Sequence, residues 1–199
     1  MKKCVLASGN KHKLKEIKEI MQEFNIELTT MADEGLGDLE IVEDGDTFEK
    51  NSYIKAKEVM DRLNVATIAD DSGLMVDYLD GRPGVYSARY AGKDATYLDN
   101  NKKLIKELKG VSKEKRGAKF VTVITLLTPE GEKIVARGEI LGKIGFEPKG
   151  KKGFGYDPLF IVKGKNKTFA QMDSKEKNKI SHRAKALEAL KVKLKNFLR

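Results

Sequence analysis

Ile68-Ala69-Asp70-Asp71-Ser72-Gly73-Leu74 sets two carboxylates and a hydroxyl inside an apolar frame, with Val65 to Ala69 leading in and Leu74 to Val76 leading out. The flanking runs read as two buried strands around a polar centre. An unpaired carboxylate in such surroundings costs several kcal/mol or is forced neutral, so the pair must reach solvent, a cation or a metal. A hard cation is the simplest partner. Neighbouring strand residues face opposite sides, so Asp70 and Asp71 are expected to differ in role unless Gly73 bends the chain. An Asp-Ser-Gly turn closing a hairpin explains the same residues, and the stretch alone leaves the two readings level.

Around this centre, the 199 residues are 40% hydrophobic and 35% charged, the balance of a globular chain able to bury a core as one large domain or two lobes. No stretch approaches the roughly 18 consecutive apolar residues of a membrane helix, and the apolar part of the opening is too short for a signal peptide. A cytoplasmic protein with no membrane partner is expected. The single Cys4 excludes an internal disulfide, and one cysteine with two histidines excludes zinc-finger spacing. The net charge of +9 and pI near 9.4 invite a nucleic-acid reading. Acidic residues nevertheless dominate from Asp33 to Glu49, and the lysines crowd into separate segments with no aromatic-basic repeat. A basic cleft for a polyphosphate small molecule, or plain solvated helix faces, accounts for them, so no specific nucleic acid is expected.

Upstream, Val5 to Ala7 reads as a strand, Ser8-Gly9-Asn10 as a turn, and Lys11 to Phe24 as a helix with Leu14, Ile17, Ile20, Met21 and Phe24 on one stripe. A helix start after a small polar turn favours phosphate, although an ordinary cap by Ser8 or Asn10 uses the same residues. Ile26 to Thr30 forms a second strand, and a helix begins near Asp46-Thr47-Phe48-Glu49 and ends at Asn64. Downstream, Thr96 to Lys109 is helical, and Phe120 to Thr128 with Lys133 to Leu141 makes a hairpin across Pro129-Glu130-Gly131. A mobile glycine-rich basic loop is expected from Gly142 to Gly155, ending in Phe154-Gly155-Tyr156-Asp157-Pro158. That turn can stack a flat ring, or its aromatics can pin it to the core. One long amphipathic stretch then runs from Asp173 through His182 and Arg183 to the C-terminus.

Ser8-Gly9-Asn10 with Lys13, Glu43-x-Gly45-x-Thr47-Phe48-x-x-Asn51, Ala69 to Leu74, Pro83-Gly84-Val85-Tyr86-Ser87-Ala88-Arg89-Tyr90, Gly153 to Phe160, and Ile180-Ser181-His182-Arg183 occur in this order. The series resembles the inosine/xanthosine triphosphate pyrophosphatases, which hydrolyse non-standard purine nucleoside triphosphates. The resemblance implies an α/β fold, elongated and two-lobed around a mixed, twisted β-sheet flanked by helices, with the active site in the cleft between lobes. It implies a single domain over 1–199, commonly a homodimer. Water would attack the α-phosphate, giving nucleoside monophosphate and pyrophosphate with Mg²⁺ bound. On this chain Glu43 and Asp71 would hold the metal, and Asp71 would be the general base. Ser8, Gly9, Asn10 and Lys13 would hold the phosphate tail with Lys55 as a second cation, and Lys11, His12 and Ser72 would also bind substrate. Phe154, Gly155, Tyr156 and Asp157 would receive the base, with Lys177, His182 and Arg183 around its 6-keto oxygen. Ser52 stands where the family more often has alanine, and Tyr156 where many relatives have tryptophan.

Overall fold

Apolar runs become strands and amphipathic stripes become helices in the computed structural model, which describes residues 2–8 and 11–198 without the side chains of Lys11, His12, Lys13 and Glu16. In chain order these are β1 (Lys3–Leu6), α1 (Lys11–Glu23), β2 (Glu27–Thr30), α2 (Phe48–Leu63), β3 (Thr67–Val76), α3 (Tyr97–Glu107), β4 (Gly117–Leu127), β5 (Lys133–Ile144), β6 (Phe160–Val162), α4 (Ser174–Ile180) and α5 (His182–Phe197). One six-stranded sheet runs β2-β1-β3-β4-β5-β6. It is mixed: β1 lies parallel to β2 and β3, whereas β5 and β6 are antiparallel. Among the described residues no helix is long and apolar enough to cross a membrane.

Two compact units share the chain, the first comprising Met1–Asp71, Thr122–Gly138 and Ala186–Arg199, the second Ser72–Val121 and Glu139–Lys185. In the first unit, strand alternation sorts the core into two faces. Cys4, Leu6, Ile68 and Leu126 pack with Ile17 and Met21 of α1 and Leu187, Leu190 and Leu194 of α5. Val5, Ala7, Ala69 and Leu127 pack with Ala56 and Val59 of α2. The second unit centres on Phe120, Phe160 and Phe169, whose ring centroids are 4.6 to 5.9 Å apart, with Leu104, Leu108, Ile140 and Tyr156 around them. At the end of α3, Arg116 donates to the carbonyls of Leu108, Val111 and Gly145 at 2.7, 3.1 and 3.0 Å. A buried cation thus satisfies the cap carbonyl of α3, which has no partner within the helix, together with two loop carbonyls.

Three sequence expectations change. The Asp70-Asp71-Ser72-Gly73 centre is neither a turn nor a break: β3 runs unbroken through it for 10 residues. An interior place in the sheet, between β1 and β4, overrides the local preference of Asp, Ser and Gly for turns. The long C-terminal stretch is two helices, because Ser181 adopts extended geometry (φ −64°, ψ 160°) and its Oγ accepts from Ala184 N, capping α5. The loop expected to be mobile is tied down by Lys149 N to Pro158 O, Lys152 N to Ala170 O and Thr168 Oγ1 to Lys149 O.

Candidate active site

β3 decides where the carboxylates go. Asp70 follows the parity of Ile68, toward α1 and α5; Asp71 follows Ala69, toward α2. Both are buried, at 2% and 8% exposure. About two helical turns after its Thr47 cap, α2 aims Lys55 at that second face, where Nζ stands 3.6 Å from Asp71 Oδ1 and 2.8 Å from Glu43 Oε2. Glu43 lies in the irregular segment before α2. Asn51 anchors that segment by accepting from Gly45 N at 2.8 Å, an approach so close that a Cβ on Gly45 would stand 2.6 Å from Asn51 Oδ1.

Among the described residues two carboxylates therefore converge on the Lys55 ammonium in partly desolvated surroundings. Such a set draws a further cation, and a hard dication with oxygen ligands fits two carboxylates that leave its other positions to ligand oxygens and water. Among the described residues no group of three or more His, Cys, Asp or Glu is placed to hold a metal; Glu43 and Asp71, which both meet Lys55, are the candidate pair. Ser8 follows β1; the register pairing Val5 with Thr67 and Leu6 with Ile68, continued, sets it level with Asp70. Gly9 and Asn10, and the side chains of Lys11, His12 and Lys13, lie outside the described residues. Lys11 to Lys13 open α1, whose unpaired N–H groups and positive dipole end face its start.

In the second unit the 153–157 turn is built around Asp157. Its Oδ2 accepts from Phe154 N at 2.9 Å and forms an ion pair with Lys177 Nζ, with the Asp157 side chain 3% exposed. Gly153 has φ +77°, and a Cβ there would meet Asp157 Oδ2 at 2.0 Å, so only glycine closes this turn around its carboxylate. Phe154 leaves its ring 43% exposed, whereas Tyr156 is buried and donates its hydroxyl to Ser87 O at 2.8 Å. Burial holds that hydroxyl protonated far above the usual tyrosine range. The turn thus answers both sequence readings, Phe154 offering a flat face and Tyr156 pinning the turn to the core.

Lys177 Nζ also lies 4.9 Å from the Phe154 centroid and 5.0 Å from that of Phe169. His182, 8% exposed, stacks on Phe120 at 4.9 Å and 14° and lies 6.5 Å from Phe169. Arg183 follows it, half-buried, in the first turn of α5. The Ser181 break therefore places an imidazole and a guanidinium at a helix start instead of along a continuous helix face. Ser72 is half-buried in β3. Together these groups offer an aromatic face, a buried carboxylate and several donors, the chemistry that selects a flat heterocycle by its edge.

Sequence reasoning missed Asn101 and Tyr97 of α3, which both touch this turn. Asn101 Nδ2 donates to Gly155 O at 3.0 Å, and the Tyr97 ring lies 6.3 Å from that of Phe154. No local signal marks either, because each contact joins segments more than fifty residues apart in the chain.

Comparison with known proteins places these elements in a familiar setting. Residues 4–193 match the sequence model of the Ham1 family. A dITP/XTP pyrophosphatase of Clostridium perfringens is 51% identical, covering 100% of this chain and 100% of its own. The Ham1 protein of Staphylococcus aureus superposes with a TM-score of 0.92 at 38% identity, covering 98% of this chain and 99% of that one. A nucleoside-triphosphatase, also titled dITP/XTP pyrophosphatase, from Mycobacterium abscessus gives 0.83 at 42% identity over 94% and 98%.

Proposed function

The chain belongs to the Ham1 family, and from that premise we propose that it hydrolyses inosine, deoxyinosine and xanthosine triphosphates to the monophosphate and pyrophosphate, cleansing the nucleotide pool. The observation that carries this reading is the convergence of Glu43 and Asp71 on Lys55, in a chain matched end to end by relatives bearing that activity in their names. The functional domain spans 1–199 as one piece, a homodimer in the cytoplasm, where a lone buried cysteine needs no oxidising surroundings.

Glu43 and Asp71 are the pair that would hold Mg²⁺, which supplies neutralisation of phosphate charge and polarisation of the α-phosphorus. Asp71 takes the proton of the attacking water as a general base. Lys55 adds a fixed positive charge against the phosphates while keeping the two carboxylates from repelling each other. Ser8, Gly9, Asn10, Lys11, His12 and Lys13, at the start of α1, cradle the departing pyrophosphate, and Ser72 contributes a hydroxyl. Phe154 stacks the base, and Gly155 and Tyr156 complete the turn that presents it.

Asp157, Lys177, His182 and Arg183 read the edge of the base. A 6-keto oxygen accepts a hydrogen bond where adenine presents an amino group, so a donor from His182 or Arg183 is left unpaired by adenine. The test is pyrophosphate release from inosine, xanthosine, guanosine and adenosine triphosphates, with Mg²⁺ or chelator, by the native chain and Asp71→Asn. Release confined to the first two, lost with chelator, and lowered about 10²–10⁴-fold by the substitution is expected. Undiminished release by Asp71→Asn would sink the mechanism.

A further inference from the structure

We propose that Asn101 is a positioning residue for base recognition: its amide hydrogen bond to Gly155 O fixes the turn that presents Phe154 and Asp157. The proposal rests on the reading that this turn receives the base. Asn101 and Tyr97 lie one turn apart on α3, so both side chains leave the same face of the helix. One grips the backbone of the turn at 3.0 Å and the other sets its ring 6.3 Å from that of Phe154.

Three observations favour a role beyond packing. Asn101 is 7% exposed, yet its Oδ1 has no hydrogen-bond partner among the described residues. Burying an unsatisfied acceptor opposes stability, so an apolar side chain would serve the core better; what asparagine supplies here is the donor. The neighbouring Asn100 differs, since its Oδ1 accepts from Ala91 N and its Nδ2 donates to Ala88 O, so that both ends of its amide are paired. The turn also needs an outside hold. Among the described residues, the Asp157 carboxylate and the Asp157 N to Phe154 O bond close the turn on either side of Gly155 and the Tyr156 hydroxyl ties it to Ser87, but the Gly155 carbonyl itself, at a φ of +59°, is held by Asn101. A rotation there would swing Phe154 relative to Asp157 and misalign ring and edge contacts together.

Asn101→Asp and Asn101→Leu separate the roles, the first keeping shape and the second favouring burial, while both lose the donor. Thermal melting, amide hydrogen exchange across 153–157, KM and kcat for deoxyinosine triphosphate, and binding of inorganic tripolyphosphate would be measured on the full chain. Expected are a Leu variant that melts no lower than wild type, and exchange at 153–157 faster in both variants. KM should rise about tenfold, the order of one hydrogen bond, with kcat within about twofold and tripolyphosphate binding unchanged. Unchanged exchange in both variants would overturn the proposal, as would a wild-type KM despite faster exchange, or a loss of tripolyphosphate binding equal to the loss in KM. Faster exchange in a protein whose wild type cleaves no deoxyinosine triphosphate would uphold Asn101 as the hold on the turn and reject the base-recognition reading instead.

Discussion

Lys55 Nζ stands 2.8 Å from one carboxylate and 3.6 Å from another, with its own side chain 12% exposed. Removing one member of such a cluster costs more than making it contributes, because the remaining like charges lose their screen. Lys55→Met is expected to lower stability by about 3 kcal/mol, less if the one-third exposed Glu43 swings to solvent. A divalent cation should restore part of that loss, so the rise in melting temperature on adding Mg²⁺ should be larger in Lys55→Met than in the native chain. Equal shifts would mean that Glu43 and Asp71 do not share the cation. The sequence displayed each of the three residues but not their meeting. Lys55 stood in a recognisable helix, Asp71 in an apolar run and Glu43 in the acidic motif before that helix, and the resemblance alone paired Glu43 with Asp71; the place of β3 in the sheet, and the face α2 covers, set Lys55 against both. Asn101 was less legible still, a polar residue on a polar helix whose partner lies 54 positions away.

At the scale of elements, the 153–157 turn and the end of α3 make opposite predictions. Gly153→Ala places a Cβ on the Asp157 carboxylate at a φ that costs an L-residue about 1–2 kcal/mol, so the turn must open and release Lys177. Turnover of deoxyinosine triphosphate should collapse while the melting temperature changes by only a few degrees. Arg116→Met instead leaves three carbonyls without their donor, a loss of about 3 kcal/mol or more that a melting curve should register, with turnover per folded molecule kept. Strands and helices of this kind were largely legible from period and capping residues: α1 was expected over Lys11 to Phe24 and spans Lys11–Glu23. Where reading failed, a neighbour outvoted local preference. Turn formers at 70–73 joined a strand because β3 lies inside the sheet, between β1 and β4, and the helix expected through Ser181 broke because a serine cap suited the backbone better than continuation.

Across the whole molecule, burial holds three protons. It pushes the Cys4 thiol up to about 12 from an ordinary 9.0, and burial also raises Tyr156 and, with help from the Glu107 carboxylate, Tyr90 above their ordinary 10.0. In the unfolded chain these groups ionise at their ordinary values, so between about pH 9 and 12 the unfolded state sheds protons that the folded state keeps. Stability is therefore full below pH 9 and declines as pH climbs. Urea midpoints should be lower at pH 10.5 than at pH 8, and a rising midpoint would contradict the burial of all three. The division of the chain carries a different consequence. The polypeptide passes between its two units at 71–72 within β3, 121–122 within β4, 138–139 within β5 and 185–186 within α5. Neither unit corresponds to an uninterrupted stretch of gene. Recombination cannot shuffle one of them into another protein or replace it from a donor, so the residues ascribed to phosphates and those ascribed to the base are inherited together, and can change partners only by point mutation.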